Sequence, residues 1–99
     1  MPTFITLGNY TQAGVELLAE MDEDEYLEVT RAEVEARGGE LKDAYLTMGE
    51  YDAVVITEFP DATAGAETLL SVLGKGIVEA TETMRAFDDA ETRDIISRL

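Results

Sequence analysis

The chain has 99 residues, 22 acidic against 7 basic, a formal net charge of −15, and neither cysteine nor histidine. A length near 100 residues fits one domain, here taken as residues 1–99. The absence of Cys and His excludes disulfides, thiolate nucleophiles, imidazole bases and haem ligation through histidine, while the negative charge repels nucleic acid and anionic membranes.

Thr3–Asn9 (TFITLGN) is rich in β-branched and aromatic residues and reads as the first strand. Thr11 is an N-cap candidate for a helix in which Val15, Leu18 and Met21 recur at helical spacing. Met21–Glu25 (MDEDE) interrupts that stripe. A second helical stretch, Tyr26–Arg37, places Tyr26, Val29, Ala32 and Ala36 on one face, and Gly38-Gly39 ends it. Glu40–Met48 and Tyr51–Phe59 are strands joined by a short turn at Gly49-Glu50, which forces them antiparallel. Asp61 caps a helix carrying Ala64, Leu69, Val72 and Leu73, and Gly74-Lys75-Gly76 closes it. Ile77–Phe87 is a fourth strand. Asp88 and Glu91 have capping-box spacing before a last helix bearing Ile95, Ile96 and Leu99.

The order β-α-β-β-α-β-α is the α+β split βαβ pattern of a ferredoxin-like sandwich with a C-terminal helix added. Such a sheet is antiparallel, ordered 4-1-3-2, with its two principal helices on one face. Yet Val54 and Ile56 alternate with Ala53 and Val55, and Ile5 and Leu7 oppose Phe4, so the central strands are apolar on both faces and need cover on both. A homodimer, sheet against sheet about a two-fold axis, supplies the second cover. In the fourth strand Val78, Ala80, Met84 and Ala86 are assigned to the helix side, and Glu79, Thr81, Thr83 and Arg85 to the dimer space.

Pro2-Thr3-Phe4-Ile5, Asn9-Tyr10-Thr11, Gly38-Gly39, Tyr45–Asp52 (YLTMGEYD) and Thr83–Phe87 (TMRAF) together resemble the GYD domain family, whose Gly-x-Tyr-Asp segment is Gly49-Glu50-Tyr51-Asp52 here. The resemblance spans essentially the whole chain. It implies a dimeric α/β barrel, a superfamily that includes monooxygenases, isomerases, haem enzymes and plain binding domains. It implies no particular activity for this chain.

The sheet order brings the start of the third strand to the end of the first. Tyr51 and Asp52 therefore approach Asn9 and Tyr10, with Tyr45 nearby, as the candidate rim of a ligand site. Neighbours on a strand point to opposite faces, so Tyr51 and Asp52 do not form a side-by-side catalytic pair. The structural alternative gives Asp52 the role of bonding turn amides and Tyr51 that of packing at the sheet edge. A tyrosine acting in proton transfer would need a strongly lowered pKa. Arg85 is a second candidate, able to hold a carboxylate-bearing ligand; its alternative is an ion pair with Glu58 or Glu82. Asp22–Glu25 lack the spacing and central glycine of a calcium loop and read as hydrated surface. Met48 and Met84 read as core fillers.

No metal and no cofactor are expected. The first functional reading is a non-enzymatic homodimeric module taking a small ligand between its sheets. The alternative is a cofactor-independent enzyme, monooxygenase- or isomerase-like, using Tyr, Asp or Arg at the dimer cavity. Met1–Ile5 lacks the basic and apolar regions of a signal peptide, and a cytoplasmic location is the expectation. Dense carboxylates with only Lys42 and Lys75 as lysines resemble the surfaces of proteins from salt-accumulating halophiles.

Overall fold

A computed structural model describes all residues from Met1 to Leu99. The elements are β1 (Thr3–Tyr10), α1 (Gln12–Glu20), α2 (Glu28–Ala36), β2 (Glu40–Leu46), β3 (Ala53–Glu58), α3 (Ala62–Gly74), β4 (Val78–Ala86) and α4 (Asp89–Ser97). The four strands form one antiparallel sheet in the order β2-β3-β1-β4. This is the expected ferredoxin-like α+β arrangement, with β1 and β3 central.

Local chemistry sets the element ends. The Thr11 hydroxyl accepts from the Gly14 amide at 3.0 Å and donates to the Gly76 carbonyl at 2.6 Å, so it caps α1 and ties it to the α3–β4 connection. The Asp61 carboxylate accepts from the Ala64 amide, and Asp88 with Glu91 forms a full capping box on α4. At the end of α2 the Gly39 amide reaches the Val34 carbonyl and the Gly38 amide reaches that of Glu35. Gly38 has φ +77°, the left-handed conformation this C-terminal motif requires.

Docking keeps part of each helical stripe inward, Leu18 and Met21, Tyr26 and Val29, and Leu69 and Val72, and turns other members outward. On α1, Val15 is exposed, and Gly14, Leu18 and Met21 face the sheet. Gly14 sits so close to the Ile77 backbone that a Cβ there would overlap the Ile77 carbonyl, and this contact sets the rotation of the helix. On and just before α2, Tyr26 and Val29 line the inward space as expected, joined by Leu27, Thr30 and Val34, while Ala32 and Ala36 are exposed; Val34 is the most deeply buried side chain. On α3 the inward face is Gly65, Thr68, Leu69 and Val72. Glu33 links α2 to α3: its carboxylate accepts from Ser71 at 2.8 Å and Arg37 at 2.9 Å and meets Lys75 at 3.0 Å. These partners, led by the Ser71 hydroxyl, hold its pKa down to about 2.

The register assigns every strand residue to a face. Asp43, Ile56, Ile5 and Met84 form one row across the side without helices, and Tyr45, Val54, Leu7 and Glu82 form the next. Beneath the helices run the rows Ala44, Val55, Thr6, Thr83 and Leu41, Thr57, Phe4, Arg85. This corrects the assignment of β4. The pairing slips between Leu7 and Asn9, so Ala80 and Thr81 together oppose Gly8, and Ala80 takes φ +51°. A bulge of this kind inverts the alternation beyond it. Val78 is on the helix side as expected, but Met84 and Ala86 lie on the open side and Thr81 and Thr83 lie under the helices.

Only six of the 99 residues are fully buried, with Val34 and Phe59 the apolar ones, and that leaves most apolar cover incomplete. Two spaces account for it. One is a cavity between the sheet and α1–α3; the other is the uncovered face of the sheet. In addition α4 runs off the end of β4 with Ile95, Ile96 and Leu99 exposed.

Candidate functional site

The β2–β3 connection is longer than the expected two-residue turn. Both strands stop short of it, and Thr47–Asp52 forms a closed loop in which the Thr47 amide donates to the Asp52 carbonyl and the Thr47 hydroxyl to the Tyr51 carbonyl. Tyr51 and Asp52 therefore belong to the loop rather than to β3. Gly49, with φ +142°, provides the conformation that a residue with a side chain rarely adopts.

The structure brings Asn9, Tyr10 and Asp52 together. The Asp52 amide donates to the Asn9 side-chain oxygen at 3.1 Å and to the Gly8 carbonyl at 3.0 Å, and the Asp52 carboxylate accepts from the Tyr10 amide at 3.1 Å. These reciprocal bonds lock the loop to the end of β1. Asp52 bonds an amide of β1 rather than one in its own turn. Tyr51 points away from this group and crosses the open face to donate its hydroxyl to Glu82 at 2.9 Å. Tyr45, also on the open face, donates to Asp43 at 2.7 Å.

Arg85 is remote from that corner and pairs with neither Glu58 nor Glu82. Its guanidinium bonds Glu91 at 2.8 Å and lies 4.4 Å from the centre of the Phe87 ring. Glu58 is taken by Lys42, which also meets Glu40, the residue opposite Glu58 in the sheet; the lysine relieves that like-charge pair. Glu82 is taken by Tyr51.

Tyr10, Tyr45 and Tyr51 hold their protons more tightly than a free phenol. The pKa of Tyr51 is raised by its bond to the Glu82 carboxylate, and that of Tyr45 by its bond to Asp43. Burial raises that of Tyr10, with Tyr26 and Asp52 adding to the effect.

The cavity is the feature that sequence reasoning missed. It has a volume of about 440 Å³ and extends under all three packed helices, from Phe4 and Thr57 at one end to Tyr10, Met21 and Tyr26 at the other. Tyr10 connects it to the corner made by Asn9 and Asp52. Its one available signal was the run of small or hydroxylated residues at inward positions (Thr6, Gly8, Gly65, Thr68), which leaves space where large side chains would have filled a core.

The Asp52 arrangement predicts an ordering of variants. Asp52→Ala removes a charge-assisted bond to a part-buried amide and is expected to cost about 1.5–3 kcal/mol in urea unfolding. Tyr51→Phe loses an exposed hydroxyl contact and should leave the midpoint nearly unchanged. The reverse order would show that the Tyr51–Glu82 bond, rather than Asp52, secures the loop.

The chain is thus a split βαβ sandwich with an uncovered sheet face on one side and a cavity under its helices on the other. The chain belongs to the GYD domain family, whose model matches residues 4–96. It is 34% identical, over 99 residues, to a Thermus thermophilus protein described as a glutamine synthetase and cystathionine beta-lyase binding protein; the alignment covers 100% of this chain and 99% of that one. Among solved structures it is similar to FFRP-DM1, with 25% identity, a TM-score of 0.61, and coverage of 88% of this chain and 100% of that one. The fold is also shared with a hypothetical protein, PHS023, from Pyrococcus horikoshii, at 21% identity and a TM-score of 0.58 over 90% and 93% of the two chains.

Proposed function

We propose that this protein is a cytoplasmic, non-enzymatic binding module that works as a homodimer. The observation that carries the reading is the open sheet face. Ile5, Leu7, Val54, Ile56 and Met84 are contiguous in cross-strand register, and no helix of the chain covers them. A patch of this kind is costly to leave in water and is satisfied by a second copy. The Tyr51–Glu82 and Tyr45–Asp43 bonds border it, which gives the interface a polar rim. Ile95, Ile96 and Leu99, exposed on α4, offer further apolar surface for the partner to cover.

The relative from Thermus is described by the enzymes it binds, and we infer protein partners for this chain as well. Leu46 and Met48, exposed beside the loop that follows β2, offer a contact for them outside the dimer face. Glutamine synthetase and cystathionine β-lyase are the two candidates to test by co-sedimentation. The enzymatic alternative is less well supported, because the tyrosine shifts run opposite to those a base needs and Arg85 is held by Glu91.

Sedimentation equilibrium in molar KCl is expected to give twice the 10.8 kDa chain mass. Ile56→Asp, which places a carboxylate in the middle of the apolar sheet face, is expected to give a folded monomer. A wild-type protein that stays monomeric and well folded at micromolar concentration would overturn the dimer.

A further inference from the structure

We propose that the cavity between the sheet and helices α1–α3 is a binding site for an uncharged, largely apolar small molecule carrying a hydroxyl or carbonyl group. The site is distinct from the sheet face, since its strand lining apart from Asn9 and Tyr45 at its margin lies on the helix side of the sheet, and it is complete within one chain. Its volume, about 440 Å³, lies within the range of small-molecule sites. Its walls are mainly aliphatic and aromatic, with Leu18, Val55, Leu69 and Val72 contributed by three different elements. Water in such a space would find few partners, so filling it with an apolar ligand is favourable.

The polar groups that remain define the rest of the ligand. The Thr6 and Thr83 hydroxyls, 3.0 Å apart on adjacent strands, lie on the floor and bond to each other. One hydroxyl hydrogen of the pair is left to donate. At the other end stand Tyr10 and Tyr26. The phenols of Tyr45 and Tyr51 are engaged by carboxylates, whereas no protein group accepts from Tyr10 or Tyr26. These groups suit a neutral oxygen acceptor.

Charge excludes the other classes. No lysine or arginine lines the cavity; the only charged residues on its border are Asp22 and Glu23, beside Met21. A carboxylate or phosphate would be desolvated with no cation to meet it and would enter past two acids in a field set by −15 net charge. Fatty acids and nucleotides are thus disfavoured on the same ground.

The test is fluorescence titration with N-phenyl-1-naphthylamine, a neutral probe, against 1-anilinonaphthalene-8-sulfonate, an anionic probe of similar shape. Saturable binding of the neutral probe is expected, with the anion at least about tenfold weaker. Methyl NMR of the wild-type protein locates the probe: shifts at Leu69 and Val72 are expected, with Ile5 and Ile56 unmoved. Val55→Phe, which fills the middle of the cavity, should weaken the neutral probe by at least about tenfold; should that variant fail to fold, Leu69→Phe and the methyl map decide. Binding that shifts Ile5 and Ile56 in place of Leu69 and Val72, an anion that binds as tightly as the neutral probe, or no saturable binding would overturn the proposal.

Discussion

Replacing Phe59 with alanine should lower the unfolding free energy by about 3–5 kcal/mol, the usual range for deleting a buried aromatic ring. Phe59 is 3% exposed and follows β3 directly, where its amide donates to the Pro2 carbonyl. Its ring packs against that of Phe4, the centroids 6.0 Å apart and tilted by 59°. Gly39 and Gly65 make room for it: a Cβ on Gly39 would come within 2.6 Å of the ring, and one on Gly65 within 3.4 Å. The ring thus joins β1, α3 and the α2–β2 connection, and it is the largest fully buried apolar group in a chain with few of them. Domains of this size have only about 5–15 kcal/mol in total, so the variant should be near unfolding at 37 °C. Urea denaturation followed by far-UV circular dichroism measures the loss. Phe59→Leu should recover more than half of it, because it leaves a smaller cavity. A loss below about 1 kcal/mol for the alanine variant would mean that the ring does not hold these elements together.

The second large effect is expected from salt. All seven basic side chains are within ion-pairing distance of a carboxylate, and the eight carboxylates involved leave fourteen of the 22 without a basic partner. Most of the pairs are exposed, and each contributes little. Raising KCl from 0.1 M to 1 M shortens the screening length from about 10 Å to about 3 Å. It weakens those pairs slightly but removes most of the repulsion among the unpaired acids, so the balance favours the folded state. Each kcal/mol recovered raises the midpoint of a domain this size by about 4–8 °C, and a total rise on the order of 10 °C is expected. Differential scanning calorimetry across a KCl series reads it directly. A midpoint unchanged or lower in molar salt would show that the attractive pairs outweigh the repulsion, and the halophile-like reading of the surface would fall with it.

Much of the fold is fixed by signals that act over a few residues. Thr11, Asp61 and the Asp88–Glu91 box cap their helices as the sequence suggests, because a capping side chain needs only an amide two or three positions away. Gly38 ends α2 for an equally local reason, its positive φ. The β-α-β-β-α-β-α order then leaves few ways to arrange the sheet, and β2-β3-β1-β4 follows with the approach of Asp52 to Asn9 and Tyr10. The net charge and the absence of histidine and cysteine are likewise properties of composition alone.

Tertiary contact decided the rest. Periodicity gives the angular width of an apolar stripe but not its centre. The close approach of Gly14 to Ile77 rotates α1, and burial of Val34 does the same for α2, so Val15 and Ala32 turn outward. Alternation along β4 carries no sign of where it will slip. The bulge opposite Gly8 arises from how β1 and β4 fit, and it alone moves Met84 to the open face and Thr83 beneath the helices. Arg85 had acidic residues available in several elements, and its partner is Glu91 because α4 leaves β4 within reach. The cavity is the clearest case. A sequence records which side chains are small or apolar, but an internal space depends on how far apart the layers stand, and that distance is set where Gly14, Val34 and Phe59 make their contacts.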